Sequence, residues 1–257
     1  MIETSRLNIH VPFPDVASPQ LHLVLAACQL NLQPSQGEAW VTGTYDDLAG
    51  YLPLKIQQNG SMLIIMQRET LAETLRIKSR LAPLDLMVSG SQPFGLILEG
   101  GLLESRVDLS GLPLTRLEVK PGKGSQEVLF NAPNPERIQT MNIRVGAARL
   151  ELRGLGNANF ANLNLDGGQA DCLVDFSGGL RYPAQARITI PEGSLEIHVP
   201  TETPTRLAIE TFGTMNIGEG FKRQGGALLN PAALAGQTPI LSIKATVLTG
   251  SVRLRSC

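Results

Sequence analysis

The stretch MNIRVGAARLELRG at 141–154 writes a strand, a corner and a second strand in 14 residues. Met141, Ile143 and Val145 alternate with Asn142 and Arg144. Gly146-Ala147 breaks the run, and Leu150 and Leu152 then alternate with Arg149, Glu151 and Arg153. The same sentence returns as LNLDGGQADCLVDFSG (163–178), RITIPEGSLEIHVP (187–200), LAIETFGTMNIGEG (207–220) and LSIKATVLTGSVRLRS (241–256). A period of two gives each strand one dry face and one wet face. A unit that short cannot bury its dry face alone, so neighbouring units must stack on it. The pattern predicts an all-β chain: a single right-handed parallel β-solenoid of short strands, with coils of roughly 20 residues.

Matching positions Ile143, Leu165, Ile190, Ile209 and Ile243 are spaced by 22, 25, 19 and 34 residues and are expected to form one inward column. The longest gap holds an insertion at 219–238, with Gly225-Gly226 and Asn230-Pro231, that reads as a loop with one helical turn at Pro231–Ala235. Glycines at the corners, Gly146, Gly168, Gly193, Gly213 and Gly250, are expected to supply positive φ. Upstream the pattern continues through Leu112–Phe130, Phe94–Leu109 and Leu84–Val88. Segment 68–81 fits either a helical turn or a strand, and a strand keeps the stack unbroken. The expected organisation is one domain over 1–257, with less regular coils and a cap in 1–66 and regular repeats over 67–257. Val11-Pro12-Phe13-Pro14 is the candidate N-terminal cap. Val252-Arg253-Leu254-Arg255 reads as the C-terminal edge strand, with two outward arginines opposing aggregation.

Composition narrows the function. Lys and Arg number 22 against 23 Asp and Glu, which gives a net charge of -1 and no basic excess for nucleic acid. Aromatic residues make up 4% and Trp40 is the only tryptophan, so stacking platforms for bases or sugars are scarce. No run approaches the roughly 18 apolar residues of a membrane span. Cys28, Cys172 and Cys257 are odd in number and far apart, unlike a disulfide framework or a zinc site. Leu25-Ala26-Ala27-Cys28 has the look of a lipoprotein processing site. Its flanks carry a histidine and prolines instead of a basic start and a long apolar run, so Cys28 reads as a core residue. A cytoplasmic location is expected, with an envelope-associated or Cys28-anchored form as the alternative.

No motif carries chemistry. Asp166, Asp171 and Asp175 form the densest acidic group, but Asp171 and Asp175 lie four residues apart on one strand, roughly 13 Å. A glycosidase carboxylate pair needs roughly 5–9.5 Å. Gly167-Gly168-x-Ala170-Asp171 lacks the third glycine and the tandem repetition of a calcium-binding β-roll. His10, His22 and His198 alternate with apolar neighbours and are expected on the wet face. Gly154-x-Gly156 and Gly122-Lys123-Gly124 are incomplete as dinucleotide or phosphate loops. No catalytic residue, cofactor site or metal site is expected.

Val107-Asp108-Leu109-Ser110-Gly111-Leu112, Gly146-Ala147, Leu155-Gly156-Asn157-Ala158-Asn159 and Asp175-Phe176-Ser177-Gly178 together resemble the toast-rack family. That family is related to the C-terminal domain of bacterial cell-wall-active antibiotic response proteins. The resemblance covers roughly residues 40–257 and implies stacked short strands, no established enzymatic activity and, in some relatives, envelope-stress sensing. The expected function is a non-enzymatic interaction or scaffold module of a bacterial cell, self-associating end to end. An adhesin-type domain for a cell-surface component is the alternative, and a polysaccharide-acting β-helix enzyme the weaker one.

Overall fold

The structure is a computed structural model and describes residues 5–47, 52–67 and 81–257. The segment 68–81, read above as strand or helix, therefore lies almost wholly outside the described residues. The chain opens with β1 (Ser5–Val11), β2 (Gln20–Ser35), β3 (Val41–Asp47), β4 (Leu54–Asn59), β5 (Met62–Gln67) and β6 (Ala82–Ser89). The middle holds β7 (Phe94–Asp108), β8 (Leu114–Leu129), β9 (Ile138–Val145), β10 (Ala147–Arg153), β11 (Phe160–Gly167), β12 (Gln169–Asp175) and β13 (Ala184–Val199). It closes with β14 (Thr205–Thr211), β15 (Thr214–Ile217), β16 (Lys222–Gln224), β17 (Ala227–Leu229), the four-residue α1 (Pro231–Leu234) and β18 (Leu241–Ser256). The chain is nearly all β, and most of its strand pairing is parallel, as the repeat predicts.

Each pass of the chain has two arms that meet at a corner. Long strands such as β7, β8, β13 and β18 run through the corner, whereas β9 and β10, β11 and β12, and β14 and β15 are split by it. Successive passes lie in parallel register: Gly95 beside Arg116, Leu117 beside Met141, Met141 beside Leu163 and Leu163 beside Ala186. Those pairs are separated by 21, 24, 22 and 23 residues, the observed spacing from one pass to the next.

Sheet order departs from chain order at both ends. The last strand, β18, pairs along its whole length with β13 on one side and with β14 and β15 on the other. The earlier pass, β14–β15, is thereby pushed to the outside. At the N-terminal end β2 lies between β7 and the pass formed by β5 and β6. Val252–Arg255 is therefore not an edge strand, contrary to the expectation. Repetition shows that units stack but not in which order, because every unit presents the same face to its neighbours.

The N-terminal edge is covered by antiparallel strands: β4 on β5, β3 on β6 and β1 on β3. The proline-rich 11–14 segment contributes through Phe13, which stacks on buried Trp40 at 5.4 Å between ring centroids. Trp40 in turn meets Phe94 edge-on at 5.8 Å. The insertion at 219–238 is more than a loop. Strands β16 and β17 form a hairpin across Gly225-Gly226, and α1 provides the expected helical turn.

Buried side chains from Ile9 to Leu254 form one continuous cluster. The column through the first arm runs Val119, Ile143, Leu165, Ile188, Ala245 and Ile209. The expected column held Ile190 and Ile243 instead, so its register is off by two at β13 and β18. Ile190 pairs with Val247, and Ile243 with Ala186 and Leu207. A slip of two keeps the dry face dry, so alternation alone cannot detect it. Both residues remain buried.

The corner glycines serve close approach more than positive φ. Gly193 and Gly250 do adopt φ 135, but Gly146, Gly168 and Gly213 do not have positive φ. A Cβ on Gly146 would stand 2.2 Å from the Gly122 carbonyl oxygen, and one on Gly213 would stand 1.9 Å from that of Gly250. Gly146→Ala is expected to destabilise the fold by more than about 1 kcal/mol, because a backbone carbonyl cannot step aside. Ile188→Ala is expected to cost roughly 2–4 kcal/mol in urea melts, as a buried large-to-small change. Costs under about 0.5 kcal/mol for Ile188→Ala would contradict its place in the core.

Candidate functional site: the open end of the sheet

Because β18 is tucked inside, β14 and β15 form the outermost pass. The hairpin strand β17 covers only the start of this pass, opposite Arg206 and Leu207. Among the described residues, the rest of β14 and all of β15 pair with β18 alone. The backbone there presents one unpaired side, which is the chemistry of strand addition. The side chains nearby are unusually apolar for a surface. Phe212, at the corner, is 92% exposed, and Met215 and Leu248 are 40% and 44% exposed. A recess of about 470 Å³ opens between Ile209, Phe212, Val247 and Leu248.

The insertion is latched to the start of this pass by Asn230, which is fully buried. Its Oδ1 accepts from the Thr205 and Ala233 backbone N–H groups at 3.0 and 3.1 Å. Its Nδ2 donates to the Thr203 carbonyl at 2.7 Å. One side chain thus caps α1 and ties the hairpin to β14. Asn134 does the same between other passes. It donates to the Leu114 and Ala158 carbonyls and accepts from the Leu114 and Glu136 N–H groups. Sequence reading treats Asn230 only as a turn residue and passes over Asn134. The available signal was an asparagine in the connection between repeat units.

The outer face of the second arm is a ladder of ion pairs, some within a strand and some between passes. Glu127 meets Arg106 and Arg153, and Glu151 meets Arg149 and Arg153. Glu196 meets His198 at 2.8 Å, Arg255 at 2.8 Å and Arg253 at 3.7 Å. The two arginines expected to guard an edge thus bind the neighbouring pass. The hydrogen bond from His198, with the arginine charges, holds the Glu196 carboxyl below the ordinary glutamate range. Glu151 is lowered likewise, by its bonds to Arg153 and Arg149.

The acidic residues weighed as a catalytic group each have a separate structural role. Asp171 accepts from the Ser194 N–H and hydroxyl, Asp175 from those of Ser177, and Asp166 sits 3.9 Å from Arg144. His10 is exposed, while His22 and His198 are half-buried beside Glu99 and Glu196. Cys28 and Cys172 are buried, and burial pushes each thiol up to about 12. Cys28 lies in the middle of β2, beside Leu103 and Ala82 on the neighbouring passes. Among the described residues no helix is long and apolar enough to cross a membrane.

No family model and no curated protein matches the chain, so the toast-rack resemblance rests on the residues that carry it. Solved structures do match. A candidate cell adhesion protein from Clostridium sporogenes is 15% identical, covers 99% of this chain and 100% of its own, and superposes with a TM-score of 0.50. A candidate adhesin from Bacteroides fragilis is 9% identical over 99% of this chain and 98% of its own, with a TM-score of 0.46. Another from Parabacteroides distasonis is 10% identical over 98% and 97%, with a TM-score of 0.41. At such identities the likeness to the Clostridium protein speaks for the fold alone.

Two outcomes follow from the electrostatics. Glu196 has a folded-state pKa below its unfolded value, so its contribution is present at neutral pH and lost as pH falls below about 4.3. Glu196→Gln should lower stability by up to about 1 kcal/mol at pH 7, and the difference from wild type should close in acid. Alkylation of the native protein at pH 8 should modify exposed Cys257 and spare Cys28 and Cys172, with all three reacting after unfolding.

Proposed function

We propose that the protein is a non-enzymatic interaction module of the adhesin type, built as one right-handed solenoid domain, that pairs with a second copy through its open end. One observation carries the reading: the outermost pass has an unpaired strand edge flanked by Phe212, Met215 and Leu248. Native proteins usually cover, charge or twist such an edge. Here the opposite end is covered by β1, β3 and β4, whereas among the described residues this end has only the short β17 over its first residues.

That asymmetry favours a closed dimer. A head-to-tail contact needs both ends open and would propagate into a filament. With one end covered, the open end has another open end as its complement, and the contact closes on a twofold axis. The recognition of a cell-surface component is the finer part of the reading. It is favoured over catalysis by the separate structural partners of Asp166, Asp171 and Asp175. Asp171 and Asp175 are occupied in holding a pass and a turn, and Asp166 faces Arg144.

Light scattering on the intact chain at about 50 µM should give twice the monomer mass, near the affinity of a modest interface. Phe212→Glu with Leu248→Lys should give the monomer mass, with the melting transition lowered only as far as loss of the partner requires, since both side chains are exposed. A monomeric intact chain, or a dimer untouched by the double substitution, would overturn the proposal.

A further inference from the structure

The outer face of the first arm differs from that of the second. On the second arm, arginines and glutamates neutralise one another pass by pass. On the first arm, a groove of about 510 Å³ runs across β9, β11, β13, β18 and β14. Register places its side chains in two rows. Asn162, Gln185, Ser242 and Arg206 occupy adjacent positions in one row, and Asn164, Arg187 and Lys244 in the other. Passes are spaced by about 4.8 Å and the rows by about 6.6 Å.

Two features distinguish this groove from an ordinary solvated face. Two of its three amides are fixed: Asn162 Nδ2 donates to the Gln139 carbonyl at 3.1 Å, and Asn164 Nδ2 to Asn142 Oδ1 at 3.0 Å. Its guanidiniums are free. Among the described residues, no carboxylate lies within ion-pair distance of Arg187 or Arg206, whereas Arg106, Arg149, Arg153, Arg253 and Arg255 on the second arm each have one. Lys244 meets Glu210 at 3.5 Å, at the groove's margin.

Unpaired guanidiniums match carboxylates as two-pronged donors. Fixed amides and a serine hydroxyl both donate and accept, which matches sugar hydroxyls. The lining contains no aromatic ring, so a neutral sugar would find no stacking surface and affinity must come from charge. We propose that this groove binds an acidic oligosaccharide lying along the stack. Its carboxylates would meet Arg187 and Arg206, and its hydroxyls Asn164, Gln185 and Ser242. The site is on the flank of the sheet and does not depend on pairing through the open end.

Titration calorimetry tests this with hexagalacturonate, neutral maltohexaose and inorganic phosphate as probes. Hexagalacturonate should bind saturably and weaken as salt rises, while maltohexaose gives no heat and phosphate binds far more weakly. Arg187→Gln with Arg206→Gln should lower affinity by about tenfold or more, from the loss of two charge-assisted contacts. Arg149→Gln on the other arm should leave affinity unchanged, and both variants should melt as wild type. Any of four results would overturn the proposal: no saturable binding of hexagalacturonate, equal binding of maltohexaose, phosphate binding as tightly as the hexasaccharide, or affinity unaffected by the double substitution.

Discussion

The structure depends on bringing whole backbones within hydrogen-bonding distance of one another, pass after pass, including where each pass turns. Along the arms this is ordinary parallel sheet. At the corner it is a steric problem, because side chains from successive passes crowd into one column. Glycine solves it: a Cβ on Gly122 would stand 2.7 Å from the Gly101 carbonyl oxygen, and one on Gly250 1.8 Å from that of Gly193. The arms can tolerate substitutions on their wet face. The corner cannot accept a side chain where the next backbone already lies.

In-register stacking has a further consequence. Every pass offers the same dry face and the same ladder, so a pass can be inserted between two others without changing any local rule. Both termini do this, β18 entering between β13 and β14–β15, and β2 between β7 and β5–β6. The insertion gives the chain's last strand two partners and places its arginines against Glu196. It also leaves an internal segment at the open end, where Asn230 and the β16–β17 hairpin hold only its first residues. Pairings this distant in sequence are expected to form late in folding, after the middle passes supply a template.

Much of the fold is written in the sequence and some of it is not. Period-two alternation in 141–154 and its four relatives predicts the strands, their inward faces and the corner positions. The inward set of Leu150, Cys172, Leu195 and Val252 follows from it directly. Register escapes, as Ile190 shows, because a shift of two residues preserves every inward face. Pass order escapes for a related reason: Arg253 and Arg255 look like edge guards in sequence, and only the neighbouring Glu196 reveals them as ladder partners. The open end could not be read, since Met215 and Ile217 match the alternation of a buried pass. The flanking groove was missed because Asn162, Arg187, Arg206 and Lys244 lie far apart in sequence and converge only through the register.

The order of the last passes carries the account, since it creates the open end and sets the neighbours that line the groove. Ser251 lies beside Ser194 on β13 and beside Thr214 on β15, so Ser194 and Thr214 are separated by a full pass. Cysteine pairs in a Cys257→Ser background report this directly, because a disulfide needs Cα atoms within about 7 Å. Ser194→Cys with Ser251→Cys should oxidise rapidly to an intramolecular disulfide, whereas Ser194→Cys with Thr214→Cys should remain reduced in the native state. Ready disulfide formation between positions 194 and 214, with none between 194 and 251, would mean that the passes stack in chain order and would contradict the account.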